Sequence, residues 1–556
     1  MRDAYGFFDF ELSAQTAPKV RSRMSLFLNP SKSEIDMNLI SLLRSPSFRV
    51  LAGLTVFCIF AVVGCGVNPS EMATSAPPLT RAATQVQPNT LQSNLNAMKV
   101  MNYYPADAGW SLMWENWNST QINTDFALIA SLHANTVRII INVKDFTAPT
   151  PSTTMLNELS QMVTLAHSNG LQVQLTLFDW FTSYTNITAS KSWVDAVVTP
   201  YQNDPRVAFI ELQNEMPTTN SAAMTWAQTM IPYVKTAAGS IPVTISVTSA
   251  GANVSVNLQS LITALGSTQP DFYDIHQYYG APYQDYYSIV ESQQVAATQG
   301  RPLIVGEFGS STNAADYSTS DAQSLTSYEA LQDYGYRQMF LAAKTAGIPA
   351  PAPWVLYDFV PGSLSNYPAS SDQYNYGIYL SDGVTPKTSA ASLSSYFGSG
   401  TVSTSMNNGF ENYSGSPSLP LLWTIYKPTL GNFASDTTHA HSGAASAKIW
   451  NSTTSSSGNP SFQIDPLTVI VPGTSYTASV YVMGLNATGT TEICLSWFNT
   501  SGTYTGGSCG GSLSGTTGWK QISVTATAPA GTIYTVIYLT SASNTGTAWF
   551  DDVTFQ

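Results

Sequence analysis

Residues 206–215 read RVAFIELQNE, and residues 302–309 read PLIVGEFG. In both stretches an apolar run that suits a buried strand is closed by an acidic residue, Glu215 in the first and Glu307 in the second. Six more strand-like runs occupy residues 99–399: KVMNYYP (99–105), TVRIIINV (136–143), LQVQLTLF (171–178), PVTISVTS (242–249), FYDIHQYY (272–279) and APWVLYDF (352–359). The region therefore contains eight candidate strands.

Helix-like segments with an apolar residue every three or four positions separate these runs. Residues 154–170 and 221–239 are examples, and each ends in Gly, where helices commonly stop. Strict alternation predicts parallel strands joined by crossover helices. Eight such units fit a closed (β/α)8 TIM barrel over residues 99–399 better than an open doubly wound sheet, whose Gly-rich phosphate-binding turn is not found in this sequence.

The N-terminal region resembles an export signal. Residues 50–63 form an apolar run that follows basic residues and is short for a membrane-spanning helix. Residues 62–65, VVGC, resemble a lipobox, which predicts lipidation of Cys65; an ordinary signal or an uncleaved anchor is the alternative. Residues 1–65 are thus interpreted as an export region, with Met24 or Met37 as alternative starts. We expect an extracellular or cell-surface protein that touches the membrane only through this anchor.

Two further regions differ from the predicted barrel in composition and in the periodicity of their apolar residues. Residues 66–98 are rich in Ser, Thr, Pro, Gln and Asn, and are predicted to be a flexible linker. From residue 402 to residue 556, short alternating segments separated by Gly, Ser, Thr and Asn predict an antiparallel β-sandwich of jelly-roll type. Cys494 and Cys509 lie in this region, and an exported chain permits a disulfide between them.

Composition excludes several classes of function. Only 10% of the residues are charged and the formal net charge is −13, which disfavours nucleic acid and anionic membrane surfaces as partners. Five histidines without an HExxH motif disfavour a catalytic metal. A neutral ligand and a reaction without a cofactor are the predictions that remain. We also expect the protein to be a monomer.

The two strand-closing glutamates suit glycosidic bond cleavage. Strands four and seven lie on opposite sides of an eight-stranded ring, so Glu215 and Glu307 are expected to face each other at its mouth. Such a reaction needs one carboxylic acid to protonate the leaving oxygen and a second carboxylate at the anomeric carbon. A separation of about 5 to 5.5 Å would give the retaining, double-displacement outcome.

In this pattern the barrel resembles glycoside hydrolase family 5, in clan A. The resemblance implies that Glu215, preceded by Asn214, is the acid/base and that Glu307 is the nucleophile. Further positions that match the family in order and strand are Arg138, His276, Tyr278 and Trp354. It implies that Arg138 hydrogen-bonds the nucleophile, Asn214 binds the sugar 2-hydroxyl, Tyr278 orients Glu307 and Trp354 stacks under the sugar.

Each of these residues also has a structural alternative when it is considered alone. Glu215 suits the N-terminus of the following helix, and Asn214 suits a turn. Arg138 suits a structural ion pair, and His276 a satisfied core position. Tyr278 and Trp354 suit ordinary packing.

The third strand departs from the family pattern. Many relatives have His there, whereas this chain has Phe178-Asp179-Trp180-Phe181. Asp followed by Trp resembles mannan-cleaving members, so Trp180 is a predicted substrate-binding residue. The leading expectation is an endo-acting hydrolase of plant β-1,4-linked mannan or glucan. The alternatives are an exo-acting β-glycosidase or transglycosylase, and a surface protein that binds glycans without catalysis.

The C-terminal region resembles carbohydrate-binding modules of the family 4/9 type. The resemblance rests on residues 408–411 (NGFE), 441–443 (HSG) and 549–553 (WFDDV). It implies a structural Ca²⁺ with Glu411 and Asp551 as oxygen ligands, the alternative being ordinary surface acids. Four aromatic residues are candidates for glycan contact or core packing: Trp423, Tyr476, Trp497 and Trp519.

Overall fold

The computed structural model describes residues 88–249, 254–278, 282–313, 325–364, 367–456, 458–499 and 502–556. The predicted export region, Cys65 and residues 66–87 of the predicted linker lie outside these ranges. Among the residues within them, no helix combines the length and the apolar character needed to cross a membrane.

The first domain is a barrel of parallel strands, as the alternation of strand and helix predicts. Its strands are β1 (Val100–Asn102), β2 (Thr136–Asn142), β3 (Gln172–Asp179), β4 (Val207–Glu211), β5 (Val243–Thr244), β6 (Ser246–Thr248), β7 (Tyr273–Gln277) and β8 (Leu303–Phe308). Strands β1 to β5 pair in chain order, as do β6 to β8. Only Ile245 separates β5 from β6, so these two short strands together fill the fifth position of the barrel.

The eighth position of the barrel differs from the prediction. Residues 352–359 form isolated bridges in place of a regular strand, one of them a parallel bridge between Phe308 and Pro353. Proline has no N–H to donate to a ladder, which explains why the pairing is interrupted. The Leu356 amide still donates to the Asn102 carbonyl at 3.3 Å, so the segment links β8 to β1 and closes the ring.

Helices cover the outside of the barrel. They are α1 (Pro88–Ala97), α2 (Ser111–Glu115), α3 (Ser119–Ser131), α4 (Thr153–Ser168), α5 (Ile187–Val197), α6 (Ser221–Ala238), α7 (Val254–Leu265), α8 (Pro282–Ala297), α9 (Leu325–Ala346) and α10 (Thr388–Ser399). Side chains cap several of them: Ser152 accepts from the Met155 amide at the start of α4. Helix α6 ends at Gly239, whose φ of 73° a residue with a side chain would adopt only with strain.

Helix α1 corrects the prediction of a linker over residues 66–98. Its Leu91 and Leu95, one helical turn apart, are buried against Val100, Ala208 and Phe272 at the N-terminal ends of the strands. Residues 88–97 of the predicted linker therefore form a helix that covers the closed end of the barrel, opposite the mouth.

The second domain is an antiparallel β-domain, as predicted for residues 402–556. Its strands are β9 (Tyr413–Ser414), β10 (Leu419–Pro420), β11 (Thr424–Tyr426), β12 (Asn432–Asp436), β13 (Ser446–Trp450), β14 (Ser461–Ile464), β15 (Ser475–Phe498), β16 (Tyr504–Thr527), β17 (Tyr534–Ala542) and β18 (Thr547–Phe555). The main sheet runs β11-β14-β17-β15-β18-β13-β12, with β16 paired to β15. Strand β15 pairs with β18 through its first half and with β17 through its second half.

A disulfide joins two strands of this domain, and two side chains of α9 join it to the barrel. Cys494 on β15 lies directly opposite Cys509 on β16, and their sulfur atoms form a disulfide. Tyr334 of α9 packs into the apolar core of the C-terminal domain. Arg337, one turn further along α9, donates to the Ser405 carbonyl at 2.6 Å. The C-terminal domain is therefore in direct contact with a helix of the barrel.

Candidate active site

The barrel interior next to the mouth is polar, unlike the branched apolar filling that is usual for this fold. Four strands contribute fully buried side chains to it: Arg138, Gln174, Thr176, Glu211, Asp274 and His276. Buried polar and charged groups are costly unless each finds a partner. A cluster of this size, where polar residues replace apolar core packing, is therefore a candidate functional site.

Glu307, on β8, is held at both carboxylate oxygens. The Arg138 guanidinium donates to Oε1, and the Tyr278 hydroxyl donates to Oε2 at 2.5 Å. The carboxylate is 5% exposed. These two donors fix the orientation of the carboxylate and stabilise its negative charge.

Glu215 lies just beyond β4, on a strained backbone. Its φ is 47°, in the left-handed region, which costs a residue with a side chain on the order of 1 kcal/mol or more. The Ser246 hydroxyl accepts from its amide at 2.8 Å and helps to hold this conformation. Glu215 does not cap the next helix, because α6 begins at Ser221 and is capped by Asn220. The strained turn instead directs the Glu215 side chain to the mouth, where it is 19% exposed.

His276 lies between the two glutamates. Its Nδ1 is 3.2 Å from Glu215 Oε1 and 3.5 Å from Glu307 Oε1. One oxygen of each carboxylate and one ring nitrogen lie within 4.8 Å of one another. Burial alone would lower the pKa of His276, but the charge of Glu307 and the hydrogen bond with Glu215 outweigh it and raise this pKa to about 9.

Arg138, on β2, organises the centre of the cluster. Its guanidinium contacts Glu211 Oε2 at 2.8 Å as well as Glu307, and it donates to Asn214 Oδ1 at 2.7 Å. It also donates to Asn102 Oδ1 at 2.9 Å. Burial opposes its charge, but the neighbouring carboxylates raise its pKa well above the usual value. Arg138 is thus an ion-pair partner and also a direct contact of Glu307.

Glu211 is a partner that sequence reasoning left without a role. It ends β4, is fully buried, and accepts from Thr176 at 2.6 Å and from Gln174 at 3.1 Å, both through Oε2. Burial would raise its pKa, but Arg138 and the neighbouring His276 lower it below the usual value. An acidic residue at the end of a strand can be recognised in the sequence. That Glu211 faces Arg138 is visible only in the folded barrel.

A row of aromatic rings leads from the buried cluster to the rim. Trp354 is 6% exposed and lies 6.0 Å from Trp110, which lies 5.1 Å from Tyr367. Tyr367 in turn contacts Trp180 at 6.3 Å, and Trp180 is 52% exposed. Among the described barrel residues, Trp180 is the one exposed aromatic side chain of this size. Sugar C–H faces stack well on such rings.

The predicted calcium ligands of the C-terminal domain already have protein partners. Glu411 accepts from the Ala444 amide through both oxygens, at 3.1 and 3.0 Å. Asp551 is buried, and its Oδ2 accepts from the His441 amide at 2.7 Å and the Ser442 amide at 3.2 Å. Ca²⁺ sites instead gather oxygen ligands around the ion. These carboxylates fit the role of clamping residues 441–444 better than that of cation ligands.

The aromatic candidates of the C-terminal domain fall into two groups. Trp423, Trp497 and Tyr476 are buried in its core. Trp519 is only partly buried, and the His441 ring lies 5.8 Å from it and stacks on Tyr481 at 3.7 Å. Trp519 is therefore the candidate of the four that can offer a ring face to a ligand.

Comparison with known proteins finds a family model that matches part of the first domain. Residues 94–347 match the family model described as cellulase, glycosyl hydrolase family 5. No curated protein sequence matches the chain.

Solved structures with similarity to the chain include an exo-β-1,4-mannosidase from Opitutaceae bacterium strain TAV5, at 18% identity and a TM-score of 0.45, over 54% of this chain and 59% of that one. A GH5_18 protein from Bifidobacterium longum subsp. longum in complex with Manβ1-4GlcNAc is 16% identical, over 54% and 78% of the two chains, with a TM-score of 0.43. GH5_18 from Streptomyces cattleya with GlcNAc is 13% identical, over 56% and 83%, with a TM-score of 0.45.

Proposed function

We propose, from the glycosyl hydrolase family 5 domain at residues 94–347, that this protein is a retaining β-glycoside hydrolase with Glu307 as nucleophile and Glu215 as acid/base. The observation that carries the proposal is the carboxylate pair, whose nearest oxygens lie within 4.8 Å. Retaining enzymes place their carboxyl groups about 5 to 5.5 Å apart, whereas inverting enzymes leave about 6.5 to 9.5 Å for a water molecule.

The reaction proceeds in two displacements. Glu307 bonds to the anomeric carbon while the glycosidic C–O bond breaks, and Glu215 gives its proton to the departing oxygen. A water molecule then attacks the same carbon, Glu215 takes a proton from it, and the bond to Glu307 breaks. The anomeric configuration of the product equals that of the substrate. Family 5 enzymes perform this chemistry without a cofactor.

Neighbouring residues hold the two carboxylates and the sugar in the positions that this reaction requires. Arg138 and Tyr278 hold the Glu307 carboxylate in a fixed orientation through one hydrogen bond to each oxygen. His276 lies within hydrogen-bonding distance of Glu215 and close to Glu307, so it can hold the two side chains in their relative positions. We propose that Asn214, beside the acid/base, binds the 2-hydroxyl of the sugar, a contact that strengthens in the transition state.

For the substrate, we propose a β-1,4-linked plant polysaccharide, mannan or glucan, cleaved within the chain. Support comes from the aromatic row that runs from Trp354 to the exposed Trp180, which offers stacking surface beyond a single sugar. Exo-action or transglycosylation by the same carboxylates is the alternative. A barrel that binds glycans without cleaving them is the alternative outside enzymes.

For the C-terminal domain, we propose a jelly-roll carbohydrate-binding module that acts through the partly exposed Trp519. A module joined to the barrel raises the enzyme concentration at an insoluble substrate. Replacing Trp519 by Ala is expected to lower retention on insoluble mannan or cellulose while kcat on a soluble substrate stays unchanged. We further propose that the protein is an exported, monomeric lipoprotein anchored through Cys65.

The substrate proposal is tested by incubating the purified protein with β-mannan, glucomannan, carboxymethylcellulose and mixed-linkage glucan, and sizing the products. Mixed short oligosaccharides from one polymer are expected for internal cleavage. A single monosaccharide or disaccharide released from chain ends would instead establish exo-action. The Glu307→Ala variant serves as the control, and equal rates from it and the unchanged protein would contradict the nucleophile assignment.

A further inference from the structure

Asp179 is a buried acid beside the reaction centre to which the mechanism above gives no role. It ends β3 and is 2% exposed. Its Oδ1 accepts a hydrogen bond from Asn214 Nδ2 at 3.0 Å. Asn214 Oδ1 in turn accepts from Arg138 at 2.7 Å, and Arg138 holds Glu307. A continuous chain of hydrogen bonds therefore runs from the nucleophile to Asp179.

This chain determines which way the Asn214 amide faces. A guanidinium only donates hydrogen bonds, so the amide oxygen must face Arg138. The amide nitrogen must then face an acceptor, and Asp179 supplies it. If the Asn214 amide were rotated by 180°, its nitrogen would face the Arg138 guanidinium, which is also a donor. Its oxygen would face the Asp179 carboxyl oxygen, which is also an acceptor. Asn214 is consequently held in one orientation, with the second hydrogen of its Nδ2 left for another acceptor.

The surroundings of Asp179 allow it to keep this role in either charge state. Burial raises its pKa to about 7, the nearby charges of Glu307 and Glu215 add to the rise, and Arg138 and the Asn214 hydrogen bond oppose it. The rings of Tyr104 and Tyr367 are also close enough to interact with it electrostatically. A protonated carboxyl still has a carbonyl oxygen that accepts, so Asn214 remains bonded above and below this pH.

We infer that Asp179 is a positioning residue that orients Asn214, so that the second Nδ2 hydrogen meets the sugar 2-hydroxyl in the transition state. The inference rests on the proposed function. It also explains why this chain has a carboxyl at the end of β3: an acceptor is required there, and an apolar side chain would leave the amide nitrogen without a partner.

The test is a double-mutant cycle read with two substrates. The variants are Asp179→Ala, Asn214→Ala and the double variant, assayed on an aryl β-glycoside that the enzyme cleaves and on its 2-deoxy counterpart. Glucose and mannose differ only at carbon 2, so one 2-deoxy compound serves both sugar classes. The loss of one oriented hydrogen bond is expected to lower kcat for Asp179→Ala about tenfold, with little change in KM.

Two results are expected from the cycle. The loss caused by Asp179→Ala should disappear in the Asn214→Ala background, and it should be much smaller on the 2-deoxy substrate. Equal losses in both backgrounds, or on both substrates, would overturn the inference. Inactivity of the unchanged protein, or full activity of Glu307→Ala, would instead reject the proposed function, so the two failures are distinguishable.

A second variant separates positioning from folding. Asp179→Asn keeps an acceptor oxygen without the charge, so kcat is expected to stay within about threefold of the unchanged protein. A loss as large as that of Asp179→Ala would overturn the acceptor role. Asp125→Asn is the matched control, because Asp125 is also buried but bonds Tyr103 and Tyr357. It is expected to lower Tm while kcat per folded molecule is unchanged.

Discussion

The two domains use the same kinds of side chain in opposite ways. At the barrel mouth, Glu215 and Glu307 face each other and share His276 as a neighbour. In the C-terminal domain, Glu411 and Asp551 accept hydrogen bonds from backbone amides. Carboxylates that face each other retain reactive oxygens at a cost in stability, whereas carboxylates bound by amides hold a loop in place. Proximity of acidic residues alone therefore does not identify a site, and the nature of their partners does.

The largest effect that this comparison predicts concerns Glu215. The Glu215→Ala variant lacks both the proton donor and the general base, so its kcat on an aryl glycoside is expected to fall by about 10³-fold or more. Azide, a small nucleophile that needs no general base, is expected to restore turnover by attacking the glycosyl–Glu307 intermediate, with a glycosyl azide as product. Chromatography of the products checks this, and a variant that azide does not rescue would count against the acid/base role.

Arg138 carries the next largest effect. Replacing it by Met keeps much of its length but removes the buried guanidinium charge that contacts both Glu211 and Glu307. Breaking a buried ion pair on one side costs about 3 to 5 kcal/mol. Urea unfolding is expected to show a loss of this size together with a loss of activity. As a control, Arg206→Met removes a partly exposed pair with Asp204 and is expected to cost less than about 1 kcal/mol.

A moderate effect on stability alone is expected in the C-terminal domain. Asp551→Ala leaves the amides of His441 and Ser442 without their acceptor, which costs about 1 to 3 kcal/mol. The Tm of the C-terminal domain should fall while kcat on a soluble substrate stays constant. Because the amides account for Glu411 and Asp551, adding EGTA to the unchanged protein is expected to leave Tm where it was. A clear fall in Tm with EGTA, reversed by Ca²⁺, would show that these carboxylates bind the cation after all.

The smallest expected effect is a dependence of stability on pH. The pKa of His276 is raised to about 9 in the folded protein, so its stabilising contribution is complete below about pH 6.5 and is lost as the pH rises to 9. Burial also raises the pKa of Asp179 and Asp274 to about 7, so their ionisation lowers stability as the pH approaches 7. Thermal unfolding is expected to show Tm falling from pH 6 to pH 9. The His276→Gln variant should show a flatter curve above pH 7, and a Tm that rises over this range would contradict the charge assignment.

Much of the barrel could be predicted from the sequence because its pattern is local. Strand and helix periodicities alternate along the chain, and the parallel barrel that they predict is confirmed. The prediction of a regular eighth strand was wrong because prolines interrupt an otherwise apolar run. Helix α1 was missed because Leu91 and Leu95 are the only residues of a polar segment that indicate its buried face.

For the candidate site, too, some residues could be predicted from the sequence and others could not. Strand-end position singled out Glu215 and Glu307, and the family resemblance added Arg138 and His276; the structure brings all four together. The Asp179–Asn214 hydrogen bond and the role of Glu211 depend on contacts between strands, and no local pattern reports them. In the C-terminal domain, strand alternation did not say which aromatic residues face the core, and only packing separates Trp519 from Trp423 and Trp497.

The central claim is that Glu215 and Glu307 work as a retaining pair, and the stereochemistry of hydrolysis tests it most directly. The purified protein is mixed with a soluble β-linked substrate in an NMR tube, and the anomeric signals are followed before mutarotation mixes them. The β-anomer is expected to appear first, because two displacements restore the original configuration. First appearance of the α-anomer would show a single displacement and would contradict the account.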